Sequence, residues 1–218
     1  MRFHVITIFP EMFDSYLKES IIGRAVKDKK ISIKFYNPVD YCKPKERVDG
    51  RPYGGGPGMV LRPEPLLKAV EIASSAIRRR GGKTKIIHFS PSGKKFTTEY
   101  AKITTKRYTD IVLICGRYEG IDARVKKIFK AEDISIGDYV LTGGEIPAMA
   151  VIDSISRQVK GVLGKYESLE EERVSSSEVY TRPEVLKYKN KNYKVPKVLL
   201  SGNHKRINEW KQGQKKRK

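Results

Sequence analysis

Three short turns hold the residue types best suited to binding a small ligand. An apolar run at 84–89 leads into Ser-Pro-Ser-Gly at 90–93, a second apolar run leads into Gly116, and Gly143 and Gly144 precede a helical pattern. Glycines at such places let the backbone approach a ligand and donate hydrogen bonds to it. Ligands of parallel sheets bind beyond the carboxyl ends of the strands. Three such turns at one edge of a sheet can therefore enclose a small cofactor with main-chain groups.

A charged pair lies on the helix that the apolar spacing predicts at 145–159. Asp153 and Arg157 are four residues apart, which is the spacing of an intrahelical ion pair worth a few tenths of a kcal/mol. The alternative is functional: at the border of a buried surface, Arg157 could stabilise a developing negative charge. That alternative depends on the apolar residues that share the face of the pair, namely Ile146, Met149 and Ala150.

The acidic stretch after Gly161 has no periodicity and predicts a linker or a lid. Any single glutamate in it is more often a solvated surface residue than a catalytic one. A lid that orders over a substrate could nevertheless deliver a carboxylate as a general base. The glutamates concerned are Glu167, Glu170, Glu171, Glu172 and Glu178.

A glycine-dense segment, RPYGGGPGM at 51–59, has two interpretations. It is either a flexible surface loop, or a loop in which Arg51, Tyr53 and the exposed backbone grip a phosphate or a base. The usual phosphate-binding glycine motifs are absent. His4, His88 and His204 lie too far apart in the sequence to indicate a metal site, and two cysteines do not make a disulfide framework.

Alternating strands and helices are predicted to position these residues, which indicates an α/β domain with a mostly parallel sheet and flanking helices. Beyond residue 180 we expect a small helical segment in which Pro183 starts a helix, residues 201–204 form a turn and cap, and a last helix carries Ile207 and Trp210. The predicted strands are 2–9, 31–36, 84–89, 110–115 and 132–136, and the predicted helices are 10–17, 21–26, 63–80, 97–107, 119–129 and 145–159.

The composition indicates a polyanionic partner. The 218 residues carry a net charge of +20, which favours nucleic acid over the alternative that the protein is simply basic. No apolar run approaches the roughly 20 residues of a membrane helix. The N-terminus moves straight into a strand pattern without a targeting leader, so we expect a cytoplasmic protein with no membrane partner.

Six blocks of the sequence, in order and with their spacing, resemble the bacterial tRNA (guanine-N1)-methyltransferases. That family modifies the guanine just 3′ of the anticodon, at position 37 of tRNA. The blocks are RPYGGGPGM at 51–59, CGRYEGIDARV at 115–125, SIGDYVLTGGEIPAM at 135–149, DSISRQVKGVLG at 153–164, YTRPEVL at 180–186 and VPKVLLSGNHKRINEW at 195–210.

The resemblance implies the SPOUT fold, an α/β domain whose C-terminal part is tied into a trefoil knot. The expected organisation is a methyltransferase domain at 1–160, a linker or lid at 161–180 and a short, basic, helical tRNA-binding domain at 181–218. It also implies a homodimer with the active site between subunits, and S-adenosylmethionine held in the knot loops. The residues carried over as cofactor-binding are Phe89, Ser90, Pro91, Gly116, Tyr118, Glu119, Ile136, Gly137, Asp138, Tyr139, Val140, Leu141, Gly143, Gly144 and Pro147.

The resemblance also assigns roles in catalysis. Arg157 matches the arginine that stabilises negative charge on guanine O6, and Glu172 stands where the family has an aspartate as general base. Glu170 or Glu171 could serve instead if the register of the lid differs. Magnesium is an expected requirement without a visible site. The expected tRNA contacts are Asp49, Arg51, Arg182, His204 and Lys205.

Departures from the family at Gly50 and Glu172 keep alternatives open. Gly50 stands where the family usually has a second acidic residue, and Glu172 stands in place of an aspartate. The segment beyond Trp210 is expected to be a shortened end whose basic tail contacts phosphates. One alternative is a related SPOUT methyltransferase that acts on another RNA site. The other is a catalytically silent RNA-binding homologue.

Overall fold

The computed structural model describes residues 1–163 and 178–215. The chain divides into two compact units, Met1–Leu163 and Gly164–Lys218. None of the helices in the described part of the chain combines the length and the apolar character that crossing a membrane requires.

A five-stranded parallel sheet forms the centre of the first unit, with the strand order β2-β1-β6-β5-β7. Strands β3 and β4 form a separate antiparallel ribbon of two residues each. The strands of the first unit are β1 (Arg2–Ile6), β2 (Ser32–Tyr36), β3 (Asp49–Gly50), β4 (Val60–Leu61), β5 (Thr84–Lys95), β6 (Asp110–Ile114) and β7 (Glu132–Ser135).

Helices cover both faces of this sheet, which confirms the predicted α/β class with a central parallel sheet. One face is covered by α1, α2, α4 and α6, and the other by α3 and α5. The helices of the first unit are α1 (Asp14–Leu17), α2 (Ser20–Lys27), α3 (Pro63–Arg79), α4 (Thr98–Arg107), α5 (Ala123–Phe129) and α6 (Glu145–Arg157), with 3₁₀ turns at Pro10–Phe13 and Pro38–Tyr41.

The central strand β6 explains why the apolar runs are continuous rather than alternating. Every residue of DIVLI is buried, because the strand has helices on both sides. Successive side chains point to opposite faces, so Ile111 and Leu113 join one core cluster while Val112 and Ile114 join the other.

A buried carboxylate ties the amino-terminal ends of the strands together. Asp110, at the start of β6, accepts hydrogen bonds from Arg2 at 3.0 and 3.1 Å, from Arg80 at 2.8 Å and from Thr109 at 2.7 Å, and His4 lies at 3.0 Å. Burial alone would raise the pKa of Asp110, but the hydrogen bonds from Arg2, Thr109 and His4 hold it well below the usual range. The carboxylate therefore stays charged inside the fold.

Several element bounds differ from the predicted ones. The first strand ends at Ile6 rather than at residue 9, and β5 continues through the turn at 90–93 to Lys95. The helix predicted at 119–129 begins only at Ala123. The residues before it instead pair with β4, through a bridge between Leu61 and Ile121. Long-range pairing of this kind overrides local helix propensity.

The second unit contains a hairpin that the sequence analysis did not predict. Pro183 does not start a helix. Instead, β8 (Val185–Tyr188) and β9 (Lys191–Lys194) pair antiparallel across a two-residue turn in which Lys189 has a φ of 52°. Helices α7 (Lys197–Leu200) and α8 (His204–Lys215) follow. The predicted cap at 201–204 is confirmed, because the Asn203 side chain accepts the backbone N–H of Arg206 at 3.2 Å.

Candidate cofactor-binding site

A cavity of about 400 Å³ opens at the carboxyl edge of the parallel sheet, beyond β5, β6 and β7. Its size lies within the usual range for a small-molecule site. The lining residues are His88, Phe89, Ser90, Pro91, Gly116, Arg117, Tyr118, Glu119, Gly120, Ile121, Lys126, Ile134, Ser135, Ile136, Gly137, Tyr139, Val140, Leu141, Thr142, Gly143, Gly144 and Pro147.

The turn after β6 and the turn before α6 are joined directly through their backbones. Gly144 donates its N–H to the carbonyl of Gly116 at 2.9 Å, and Arg117 and Gly143 form an antiparallel bridge. A Cβ atom at Gly144 would lie 2.6 Å from the Cα of Cys115. Only glycine at this position lets the two turns touch, so its role is close approach.

A buried ion pair lies beneath the same turns. Arg117 Nε is 2.9 Å from Glu145 Oε2, and Thr7 donates its hydroxyl to Glu145 Oε1 at 2.8 Å. The Arg117 guanidinium also lies over the Phe9 ring, 4.8 Å from its centroid. A Cβ atom at Gly143 would lie 2.4 Å from Arg117 Nε, so this glycine leaves room for the pair. Burial, together with the carboxylate of Glu145, raises the pKa of the nearby Cys115 thiol.

Arg117 and Glu145 were not among the predicted site residues, although the sequence carries a signal for them. Each follows directly after one of the predicted glycine turns. A charged residue next to a glycine that packs against a strand end is placed close to the backbone of its neighbour. Two such residues of opposite sign, on turns expected at the same edge, predict an ion pair.

A second polar cluster that the sequence analysis missed lies in the wall of the cavity. His88 Nδ1 is 2.7 Å from Asp133, whose other carboxylate oxygen is 2.8 Å from Lys126 Nζ. Burial lowers the pKa of His88, and its hydrogen bond to Asp133 opposes this without reversing it. A neutral imidazole that donates from Nδ1 to Asp133 leaves Nε2 free to accept a hydrogen bond.

The glycine-dense loop at 51–59 combines features of both of its interpretations. Its end is anchored to the rim of the cavity, because Glu119 donates its N–H to the Met59 carbonyl at 3.0 Å. Its centre is open: Tyr53 is fully exposed, and nothing lies within 4 Å of a Cβ built at Gly54, Gly55 or Gly56. The loop therefore offers an exposed backbone close to the cavity.

The structure gathers almost all of the predicted cofactor residues around this one cavity. Asp138 is the exception, since its side chain is exposed and lies 3.0 Å from Lys95 Nζ. The predicted general base, Glu172, and its alternatives Glu170 and Glu171 lie outside the described residues.

Arg157 lies far from the cavity within one chain. It is the last residue of α6, whose first turn lines the cavity, so about 18 Å of helix separate the two ends at about 1.5 Å per residue. Its Nε is buried without a hydrogen-bond partner among the described residues. Asp153 accepts instead from the Tyr16 hydroxyl, so the intrahelical ion pair is not formed. Burial, and then this bond, raise the pKa of Tyr16 to about 12.

The predicted tRNA contacts are divided between the two units. In the first unit, Arg51 is exposed, whereas Asp49 is buried and receives two hydrogen bonds from Arg47, at 2.8 and 3.1 Å. In the second unit, the exposed residues are Arg182, His204 and Lys205.

The fold and the cavity define an α/β protein with a candidate cofactor site built largely from main-chain turns. The family model described as "tRNA (Guanine-1)-methyltransferase TrmD" matches residues 1–218. The chain belongs to this tRNA (guanine-1)-methyltransferase family, which makes it a methyltransferase.

Curated relatives agree with the family match. The chain is 46% identical over 215 residues to the tRNA (guanine-N(1)-)-methyltransferase of Shewanella sediminis, with 96% of this chain and 86% of the relative covered. It is 45% identical over 217 residues to the enzyme of that name from Clostridioides difficile, covering 96% and 90%. For the enzyme of that name from Vibrio vulnificus the identity is 48% over 212 residues, covering 94% and 82%.

Proposed function

We propose that the protein transfers a methyl group from S-adenosylmethionine to N1 of a guanine in tRNA, at position 37, just 3′ of the anticodon. The observation that carries the proposal is the cavity at the carboxyl edge, in a chain whose family bears this activity in its name. The cytoplasm, where tRNA is processed, is its proposed location.

The cavity fits the proposed cofactor in size and chemistry. Its volume of about 400 Å³ and its glycine-rich turns suit a ligand held by main-chain hydrogen bonds. His88 Nε2 adds an acceptor in the wall. When bound, S-adenosylmethionine supplies the electrophilic methyl group. The residues of the three turns would hold it through their main-chain groups.

The path of the chain around the cavity supports the proposed trefoil knot. Strand β7 pairs with β5 twice, since both Phe89 and Lys94 are opposite Ile134, on either side of the turn at 90–93. Gly93 lies so close to β7 that a Cβ would be 2.6 Å from the Asp133 carbonyl carbon. The turn at 90–93, inside β5, therefore lies directly against β7, as a tightly threaded chain requires.

The position of Arg157 supports a homodimer with its active site between subunits. Arg157 lies about 15 Å along α6 from Pro147, the last residue of this helix that lines the cavity, so we infer that its guanidinium does not reach a methyl group held in the cavity of its own chain. The outward face of α6 carries Ile146, which is 49% exposed, beside Met149 and Ala150. An exposed apolar helix face of this kind suits packing against a second copy, which would bring its Arg157 to the cavity.

The proposed chemistry needs two groups of this chain besides the cavity. A carboxylate of the lid, assigned to Glu172 with Glu170 or Glu171 as alternatives, takes the proton from guanine N1. Negative charge then grows on O6, and Arg157 stabilises it. Its buried Nε without a partner among the described residues is a donor ready for such a role.

The basic surface supports tRNA as the substrate. A net charge of +20 provides phosphate contacts, and Arg51, Arg182, His204 and Lys205 are all exposed. Asp49 is proposed as a tRNA contact, and its two hydrogen bonds from Arg47 must break before it can bind tRNA. Magnesium is proposed as a requirement of the reaction. Within residues 1–163 and 178–215 no three metal-ligating side chains are grouped, so no step is assigned to it.

The test is transfer of labelled methyl groups to unmodified tRNA, followed by mass-spectrometric mapping of the modified nucleotide. We expect 1-methylguanosine at position 37, and its loss in a tRNA that carries adenosine there. Methylation elsewhere would identify the related methyltransferase for another RNA site. Cofactor binding without methylation of any tRNA would identify the silent RNA-binding homologue.

A further inference from the structure

A second cavity, of about 350 Å³, lies along α4 over the first residues of β5 and β7. Most of this α4 groove is lined by α4 and by residues at the amino-terminal edge of the sheet, with Lys94 contributed by the end of β5, whereas the cofactor cavity is at the carboxyl edge. The two share no lining residue. The groove is lined by Lys85, Lys94, Thr97, Glu99, Tyr100, Ile103, Thr104, Arg107, Tyr108 and Glu132.

Two tyrosine rings form part of the α4 groove, each with a lysine over it. Lys94 Nζ lies 5.7 Å from the Tyr100 ring centroid, and Lys85 Nζ lies 5.9 Å from that of Tyr108. Tyr100 also packs against Phe96 and donates its hydroxyl to Glu132 at 2.6 Å. Tyr108 is partly buried against the core and makes no ring–ring contact with the described residues, so the exposed part of its ring is the part available for stacking.

The charges of the α4 groove are only partly compensated. Lys85 Nζ forms an ion pair with Glu132 at 2.6 Å. Lys94 and Arg107 are exposed, and neither forms an ion pair within the described part of the chain. Glu99 adds one further carboxylate to the lining. These two cations at the mouth thus form no ion pair with the described residues, although the charge of Lys94 acts on Glu132 at longer range, and they lie beside a ring suited to a flat base.

We propose that the α4 groove binds one nucleotide of an RNA strand, with Arg107 and Lys94 contacting phosphates and Tyr108 stacking on the base. Cations that follow a backbone, combined with an aromatic ring for the base, are the usual means of binding single-stranded RNA. An acidic peptide would use the cations but not the ring. An anionic membrane is flat and would not enter a recess. The bound nucleotide is not the methylated guanine, because the cofactor cavity lies at the opposite edge of the sheet.

The charge contribution is tested with a double variant and a matched control. Lys94→Ala/Arg107→Ala removes the two unpaired cations, and Lys27→Ala/Lys68→Ala removes two exposed helical lysines elsewhere in the same unit. Binding of a labelled single-stranded RNA unrelated to tRNA is followed by fluorescence anisotropy. We expect the groove variant to bind about tenfold more weakly, with a salt slope shallower by about 1.4, at about 0.7 per contact.

The ring contribution is tested with Tyr108→Leu, which keeps apolar volume but removes the π-face. We expect the Kd for the same RNA to rise about tenfold. An oligonucleotide carrying 4-thiouridine should also crosslink to the peptide that contains Tyr108. Matching thermal midpoints would show that the variants fold, and Arg107→Gln alone is the milder substitute if the double variant does not.

The source of the RNA follows from a parallel measurement with unmodified tRNA. If the groove variant raises the Kd for tRNA as well, the groove contacts the substrate itself. If only the unrelated RNA is affected, the groove serves a separate RNA. Equal Kd values and salt slopes for the groove variant and its control, with both RNAs, would overturn the proposal. All of these measurements are made without S-adenosylmethionine, so their outcome is independent of methyl transfer.

Discussion

Close backbone contact at single glycines shapes the cofactor cavity, and the three turns differ in how strictly they need it. A Cβ at Gly144 meets the backbone of Cys115 at 2.6 Å, whereas a Cβ at Gly116 has no neighbour closer than 3.5 Å, and its two nearest are side-chain atoms of His88 and Ile121. Backbone cannot rotate away as a side chain can. The first glycine is thus required by the fold, and the second leaves open space in the cavity.

This difference predicts that alanine at one glycine lowers stability and that alanine at the other weakens cofactor binding. Gly144→Ala should lower the free energy of unfolding by about 1 to 3 kcal/mol, as for other overpacked sites, and separate the two turns. Gly116→Ala should leave the stability unchanged and weaken S-adenosylmethionine binding, because its methyl group points between His88 and Ile121. Urea unfolding and calorimetric titration measure the two effects. Equal stability of both variants would contradict the inference that the fold requires glycine at position 144 but not at position 116.

The buried carboxylate at the other edge of the sheet predicts acid sensitivity. Because the folded pKa of Asp110 is lowered, its contribution to stability is present above about pH 4 and is lost as the pH falls below that value. Asp110→Asn should cost about 2 kcal/mol at neutral pH, and should make stability less dependent on pH below about pH 4.

The control for this experiment is Asp14→Asn, which breaks an exposed pair with Lys18 at i,i+4 spacing. Its effect should be below about 0.5 kcal/mol. Urea unfolding at neutral and acidic pH compares the two variants. An Asp110→Asn curve parallel to the wild-type curve in acid would rule out this residue as the source.

At the scale of the element, α6 connects the cavity to a surface that the first unit leaves uncovered. Its inner face is buried through Val151, Ile152 and Ile155, while Ile146 faces outward. We expect Ile146→Glu to convert the proposed dimer to a folded monomer. Sedimentation velocity and methyl transfer, measured together, should show both the smaller species and the lost activity.

Ile128→Glu is the matched control, because Ile128 is 59% exposed on α5 and changes to the same charge. It should sediment as the wild type does. Dissociation by both variants would mean that added negative charge, rather than the α6 face, controls assembly. A wild-type dimer in the Ile146→Glu variant would remove this face from the interface.

Much of the fold could be predicted because the elements that position the cavity carry local signals. The strand β6 is a continuous apolar run, and the turns beyond it carry glycine. The late start of α5 could not be predicted in this way, because it depends on residues far apart in the chain, Leu61 with Ile121. The Arg117–Glu145 pair carries a local signal in its two glycine turns, but its contact with Thr7 depends on a residue far away in the chain. The hairpin β8–β9 was missed because Pro183 also fits a helix start, and lysines obscure its strand alternation.

At the scale of the whole molecule, the distance between Arg157 and the cavity predicts complementation between two inactive variants. Arg157→Ala should bind S-adenosylmethionine normally but lose at least about 100-fold in kcat. Gly116→Val should fill part of the cavity and lose cofactor binding. Each homodimer is then inactive for a different reason.

Co-expression of the two variants distinguishes the possible arrangements. If Arg157 acts at the partner's cavity, each mixed dimer contains one intact site, and the mixture should recover about a quarter of wild-type activity. If Arg157 acts within its own chain, no site is intact and activity stays at background. Co-purification through two different tags confirms that mixed dimers form.

The sheet order also bears on how the chain folds during synthesis. Strand β1 lies between β2 and β6, and Arg2 is paired with Asp110, 108 residues later. At about 5 to 20 residues per second, a ribosome needs about 5 to 20 s to make the chain between them. For that time the inner edge of β1 has no strand to pair with. The nascent chain therefore exposes an unpaired strand edge, a surface that is prone to aggregation, until β6 emerges. Early residues of this protein thus depend on protection, by chaperones or by the ribosome itself, until the centre of their own sheet has been translated.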